Sequence, residues 1–145
     1  MASLSHPGIV KYYDHFMSGD GHLCIVLEFM ASGSLESYLE KHHRLPPAAI
    51  RSFTAQLVVS LAHVHDNRVI HRDIKPANLL LTNSSQVIKL ADLGIARLLS
   101  DTASMASSML GTPYYLSPEL CRGETYGTKT DVWSLGVCVY EMACG

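Results

Sequence analysis

An eight-residue stretch, His71 to Asn78, places the tightest limits on this chain. It holds a carboxylate, a lysine and a carboxamide at fixed spacing, in Asp73, Lys75 and Asn78. Phosphoryl transfer needs all three groups. A carboxylate accepts or orients the proton of the attacking hydroxyl, a cation offsets the charge on the moving group, and an oxygen ligand holds magnesium. We therefore predict that these three residues are catalytic and lie on one short loop.

A second motif, Asp92-Leu93-Gly94, begins nineteen residues after Asp73. The apolar run from Val87 to Leu90 precedes this motif and predicts a short strand. A carboxylate at the end of a strand, followed by glycine, can present oxygen to a hard cation such as Mg²⁺. We therefore expect Asp92 and Asn78 to be the magnesium ligands.

Two later segments complete an ordered set of motifs. Gly111 to Glu119 reads G-T-P-Y-Y-L-S-P-E, and Asp131 to Gly136 reads D-V-W-S-L-G. In this order the four motifs resemble the catalytic loop, the metal-binding motif, the end of the activation segment and the start of the long C-lobe helix of protein kinases. The resemblance is strongest to the NIMA-related (Nek-type) serine/threonine kinases, and it covers essentially all 145 residues.

The resemblance implies an α+β, protein-kinase-like fold that is truncated. Residues 1–30 would be the end of the N-lobe with the hinge. Residues 31–145 would be the first half of the helical C-lobe, with the catalytic loop and the activation segment. The chain contains no G-x-G-x-x-G and no V-A-I-K, the motifs with which kinases hold the phosphates. We therefore expect residues 1–145 to be the central part of one kinase domain.

The same resemblance implies a protein serine/threonine kinase. Such an enzyme transfers the γ-phosphoryl group of ATP to Ser or Thr hydroxyls of a protein substrate, with ATP and Mg²⁺ as cofactors. The alternative is a truncated, catalytically inactive fragment that binds partners or has no activity. The catalytic loop favours the enzyme, whereas the missing phosphate-binding motifs favour the alternative.

Nucleotide-binding residues also follow from the resemblance. Glu28-Phe29-Met30 resembles the hinge, where the carbonyl of Glu28 and the amide and carbonyl of Met30 would bond adenine. Leu80 would lie under the purine ring. Asp131 is expected to accept N–H bonds from the catalytic loop, which is a structural role.

Four residues are expected to bear on regulation and specificity. Arg72 would pair with a phosphate on the activation segment. Ser108 aligns best with the Nek-type activation site, and the alternative is a Ser-rich loop without modification. Lys75 and Thr112 together resemble the pattern of serine/threonine-specific kinases.

The composition excludes several other classes of protein. The net charge of −2 implies no general affinity for nucleic acid or for an anionic membrane. No apolar run reaches the ~18–20 residues of a membrane span, and the first residues lack the basic start of a signal peptide. We expect a cytoplasmic protein, with nuclear or cytoskeletal association suggested by the family. The four cysteines form no C-x-x-C pair, so buried free thiols are expected rather than disulfides or zinc ligands.

The hydrophobic pattern predicts the main elements. Ile9–Phe16 and Leu23–Phe29 predict a hairpin around a Gly-rich turn, and Ser34 is expected to cap a short helix. Pro46-Pro47 opens a long helix with an apolar stripe, and a last helix from about Thr130 is expected to be buried on nearly every side. Short strands are predicted at the following positions: Val69-Ile70, Leu79 to Leu81, and Val87 to Leu90.

Overall fold

The computed structural model describes residues 4–82, 86–93 and 113–145. Its strands and helices run in the order β1 (Tyr12–Met17), β2 (Leu23–Leu27), α1 (Leu35–His42), α2 (Pro47–Asp66), β3 (Leu79–Leu81), β4 (Ile88–Leu90), α3 (Pro118–Cys121) and α4 (Thr128–Cys144). Two short 3-10 turns, Pro76–Asn78 and Pro113–Tyr115, lie between them. A small sheet followed by helices confirms the predicted α+β fold class.

Strands β1 and β2 form the predicted antiparallel hairpin. The N–H of Ser18 donates to the carbonyl of His22 at 2.8 Å, and Gly21 closes the turn with a φ of 83°. Glycine suits this left-handed position because it has no Cβ. The first strand begins at Tyr12 rather than at Ile9. Ile9 instead forms a parallel bridge with Leu90, which joins the segment before the hairpin to β4.

The helices begin where the sequence predicts. The hydroxyl of Ser34 accepts the N–H of Ser37 at 3.1 Å and so caps α1. Proline is favoured at the first position of a helix, where no N–H partner is needed, and α2 begins at Pro47. Helix α2 buries one apolar stripe, whose fully buried apolar members are Phe53, Leu57, Leu61 and Val64.

The main core lies between α1, α2, α4 and the β3–β4 pair. Strands β3 and β4 pair antiparallel. Four of their side chains have no exposed area: Leu79, Leu81, Ile88 and Leu90. A second apolar cluster is separate from this core. It consists of three buried residues with Leu80 packed against them: Val10, Met30 and Ala91. We call these four residues the small cluster.

Two expectations, one about burial and one about a strand, are wrong in the described residues. Helix α4 is buried on one side only, because α2 and the Pro113–Tyr115 turn cover that side, and Val132, Trp133 and Tyr140 are exposed. Val69 and Ile70 form no strand and instead connect α2 to the catalytic loop in irregular conformation.

The cysteines are free thiols, but their burial differs from the expectation. Only Cys138 is buried, and that burial raises its pKa to about 12. Cys24 is half-buried, while Cys121 and Cys144 lie at the ends of helices with their side chains in solvent. Among the helices of the described ranges, none has the length and apolar character required to span a membrane.

Candidate active site

The catalytic loop is anchored by Asp131 near the start of α4. This carboxylate is 1% exposed. It accepts the backbone N–H of His71 at 2.8 Å, the backbone N–H of Arg72 at 2.9 Å and the ring Nε2–H of His65 at 2.8 Å. A buried charge is tolerated only when it is paired and hydrogen-bonded, and here three donors surround it. The prediction that Asp131 holds the loop through N–H bonds is confirmed.

His71 is a second anchor, which the sequence motifs did not identify. Its ring is 1% exposed, and Nε2 donates to the carbonyl of Ala91 at 2.9 Å. Its Nδ1 accepts the N–H of Asp73 at 3.4 Å. Burial lowers the pKa of His71, so the ring is neutral at pH 7 and can act as donor and acceptor together. The sequence feature that could have identified this anchor is the position of His71 as the first residue of the eight-residue motif.

Asp73, Lys75 and Asn78 are brought together by direct contacts. The Nδ2 of Asn78 donates to Asp73 twice, to its Oδ2 and to its backbone carbonyl, both at 2.8 Å. The Nζ of Lys75 lies 2.9 Å from the same Oδ2. The Asp73 side chain is 51% exposed, so its carboxylate stays accessible while its neighbours fix its orientation. The Pro76–Asn78 turn places Asn78 beside Asp73, because Pro76 presets the backbone angle of the first turn residue.

Asp92 lies directly after β4, next to the catalytic loop. The preceding residue, Ala91, donates its N–H to the carbonyl of Asn78 at 2.9 Å and accepts from His71. Asp92 has a φ of 64° and an exposed side chain. A non-glycine residue in this region carries roughly 1–3 kcal/mol of backbone strain, which is typical of functional positions.

The oxygen donors fit a magnesium ion. The Asn78 bonds to Asp73 use Nδ2, so Oδ1 is the atom that could face a cation, and Asp92 supplies a carboxylate. Magnesium commonly binds one or two protein oxygens together with phosphates and water. In the described part of the chain no group of three or more His, Cys, Asp or Glu is arranged to hold a metal.

The small cluster connects Met30 of the predicted hinge with Ala91, the residue before Asp92. Met30 is 8% exposed and packs with Val10 and Ala91, and Leu80 covers the cluster from β3. Apolar side chains beside backbone polar groups are typical of the lining of ligand pockets. The carbonyl of Met30 already accepts the N–H of Gly33 at 3.1 Å, so a purine would have to share that oxygen.

Arg72 is held in an unusual state. Its φ is 70°, and its guanidinium lies 5.4 Å from the centre of the Tyr126 ring. Its Nε is buried and has no hydrogen-bond partner in the described residues. A buried unpaired donor requires an explanation, and an anion on a neighbouring segment would supply one. Gly94 of the second motif, Ser108 and Thr112 lie outside the described residues.

The protein kinase domain family matches residues 1–145. Serine/threonine-protein kinase Nek4 of Mus musculus is 43% identical over 145 residues, which cover 99% of this chain and 18% of that protein. Serine/threonine-protein kinase Nek5 of Homo sapiens is 38% identical over 144 residues, 98% of this chain and 20% of that protein. The mitogen-activated protein kinase kinase kinase ANP1 of Arabidopsis thaliana is 41% identical over 147 residues, 100% of this chain and 22% of that protein.

The chain thus spans about a fifth of the length of these relatives. The predicted resemblance to Nek-type kinases is confirmed by the first two, and ANP1 indicates that neighbouring kinase groups are nearly as similar. Because the family match covers every residue and the loop geometry agrees with it, this chain belongs to the protein kinase family.

Proposed function

We propose that the protein containing these residues is a serine/threonine kinase that transfers the γ-phosphoryl group of Mg·ATP to Ser or Thr hydroxyls of proteins. One observation carries the proposal. Asp73, Lys75 and Asn78 are locked together at 2.8–2.9 Å, on a loop that the buried Asp131 holds through two backbone amides. This arrangement places a carboxylate, a cation and a carboxamide together, with the Asp73 carboxylate 51% exposed and Asn78 buried.

Each side chain has a separate task in the transfer. Asp73 accepts or orients the proton of the substrate hydroxyl. Lys75, already paired with Asp73, offsets negative charge that develops near the transferred group. Asn78 and Asp92 would hold magnesium, which supplies positive charge against the triphosphate when it is bound.

The nucleotide would lie on the small cluster. Glu28 and Met30 would bond adenine through their backbone groups, and Leu80 would contact the ring. This assignment makes residues 1–30 the N-lobe part with the hinge and residues 31–145 the C-lobe part. Arg72 would bind a phosphate carried by Ser108.

The substrate is proposed to be a protein with a Ser or Thr acceptor. Lys75 and Thr112 support that specificity by family resemblance. Ser34 and Ala77 occupy positions where kinases that prefer basic substrates carry an acid, so a strongly basic target motif is not expected. We place the activity in the cytoplasm, with nuclear or cytoskeletal association as the family alternative.

A catalytically inactive fragment is the second candidate. The 145 residues contain neither a glycine-rich loop motif nor a V-A-I-K lysine. The hairpin also exposes large apolar side chains, among them Tyr13, Phe16 and Met17. Phe29, just after β2, is exposed as well. A large exposed apolar patch marks an interaction surface, so this hairpin would favour a binding role for an inactive fragment.

A hybrid enzyme distinguishes the two candidates. Residues 1–145 would replace the matching stretch of mouse Nek4, and transfer of labelled phosphate to Ser, Thr and Tyr peptides would be measured. We expect transfer to Ser or Thr, and Asp73→Asn should lower turnover by ~10²–10⁴-fold because the general base is lost.

The matched control is Asp66→Asn, which removes the same charge from an exposed position at the end of α2 and should leave turnover unchanged. An inactive hybrid that melts as cooperatively as Nek4 would favour the inactive fragment. An active hybrid in which Asp73→Asn costs less than about tenfold would contradict the assigned base.

A further inference from the structure

The side chain of Glu28 connects three segments that are distant in the sequence. Its Oε1 accepts the Nζ of Lys89 in an ion pair of 2.6 Å. Its Oε2 accepts the backbone N–H of Lys11 at 3.1 Å. The backbone N–H of Glu28 also donates to the carbonyl of Lys11 at 2.8 Å. One residue thus joins the end of β2, the start of β1 and strand β4.

The ion pair is shielded from solvent. The side chain of Lys89 is 14% exposed and that of Glu28 is 26% exposed. Salt screens such a pair less than one on the open surface. The hydrogen bond from Lys89 lowers the pKa of Glu28, so the carboxylate stays charged at neutral pH. The contact is therefore a persistent link rather than a transient surface pair.

The same three segments carry the small cluster. Leu80, which covers the cluster, is the direct cross-strand partner of Lys89. Val10 precedes Lys11, and its N–H donates to the carbonyl of Leu90 at 2.8 Å. The polar link through Glu28 thus joins the segments that carry the apolar residues against which the purine would lie.

We propose that Glu28 and Lys89 form a latch that positions the walls of the purine site. The proposal rests on the nucleotide site of the proposed function. In that assignment neither charged side chain touches the base, since Glu28 would bond adenine through its backbone carbonyl. Both are positioning residues, and their loss should weaken nucleoside binding without touching the groups that transfer phosphate.

Adenosine is the suitable probe, because it tests the purine site without any phosphate contact. The 145-residue chain and its Lys89→Met, Glu28→Gln and double variants would be titrated with adenosine by NMR. Amide hydrogen exchange would be measured in the same samples at Lys11 and Glu28. Glu28→Gln removes the charge but keeps an oxygen for the N–H of Lys11. Lys129→Met, at an exposed position on α4, removes the same charge as Lys89→Met and is the control.

We expect each single variant to raise the Kd for adenosine about tenfold, the scale of one charge-assisted hydrogen bond. Exchange at Lys11 and Glu28 should rise by a similar factor, while α2 amides such as Leu57 should not change. The double variant should be no weaker than either single variant, because the two residues act through one contact. Lys129→Met should match the parent.

Three results would overturn the latch. Unchanged adenosine affinity in both single variants, with the parent binding normally, would remove the latch and leave the purine site standing. Faster exchange throughout the chain, Leu57 included, would mean that the pair only adds global stability. If adenosine leaves Leu80 and Ala91 unshifted in the parent, the nucleotide site of the proposed function fails and the latch fails with it. Should Lys89→Met not fold, Glu28→Gln decides alone, because it preserves the shape of the site.

Discussion

Replacement of Asp131 should release the catalytic loop and cost a large part of the stability of the chain. The carboxylate is 1% exposed and accepts N–H groups of His71, Arg72 and His65. Asp131→Ala leaves all three donors without this acceptor, and a buried unpaired donor costs about 1–3 kcal/mol. The contact of the His71 amide is buried, whereas the contacts of Arg72 and His65 are part-buried. Loss of each of the latter two should therefore cost about 1 kcal/mol, the lower end of this range. We expect a loss of about 3–5 kcal/mol, the range for breaking a buried charge network.

Asp131→Asn is the milder test of the same contacts. The amide keeps one oxygen but replaces the other with an N–H₂ donor. In either orientation, at least one backbone N–H of the loop then faces a donor, although His65 can change tautomer and accept. We therefore expect a loss of about 2–3 kcal/mol, less than for Asp131→Ala.

Urea unfolding of the Nek4 hybrid that carries residues 1–145, followed by circular dichroism, gives the free energy of unfolding. Hydrogen exchange at the His71 and Arg72 amides shows whether the loop itself opens. Asp66→Ala is the control, since an exposed substitution is usually within ±0.5 kcal/mol. If Asp131→Ala shows no cooperative transition, Asp131→Asn supplies the number. Asp131→Asn as stable as the parent, with both amides still protected, would refute the reasoning.

Three further outcomes are expected. Ser108→Ala should lower turnover in the Nek4 hybrid, with phosphate found at Ser108 by mass spectrometry, because Arg72 has an unpaired buried Nε; full activity with no phosphate in residues 100–108 would oppose this. The isolated chain should bind Mg·ATP no more tightly than adenosine and should unfold over a broad range, since its phosphate-binding motifs are missing and isolated hairpins are marginal in water; calorimetry showing micromolar Mg·ATP binding and a sharp transition would contradict both. The free energy of unfolding should fall as pH drops below about 6.5, because burial lowers the pKa of His71 and the unfolded state therefore binds the proton first. His71→Gln should flatten this pH dependence and the exposed His22→Gln should not; equal pH slopes in the two variants would contradict the role of His71.

Local patterns predicted the elements that depend on nearby residues. The stripe on α2, the Ser34 cap and the turn at Ser18 to Gly21 are set within a few positions of the chain, and the structure contains each of them. The sequence also predicted that Asp73, Lys75 and Asn78 lie on one short loop, because only five positions separate the first from the last.

Most contacts between residues far apart in the chain could not be predicted from the sequence. Glu28 and Lys89 are 61 positions apart, and His71 reaches Ala91 across 20. Periodicity says nothing about which distant polar groups meet, and only the motif order suggested the Asp131 contact. The one-sided burial of α4 was missed for a similar reason: composition gives the apolar content of a helix but not which neighbours are present to cover it.

The contact of the loop with Asp131 also determines when, during synthesis of the chain, the loop can adopt its folded conformation. His71 and Asp131 are 60 positions apart, so the loop leaves the ribosome well before the carboxylate of Asp131 that holds it. At ribosomal rates of 5–20 residues per second, the delay is roughly 3–12 seconds. In that interval the hairpin, α1 and α2 can form from local contacts, but the amides of His71 and Arg72 lack the carboxylate that accepts them in the folded chain. The loop from His71 to Asn78 therefore gains its full set of contacts late, and a nascent chain stalled before residue 131 would carry this loop without the Asp131 anchor.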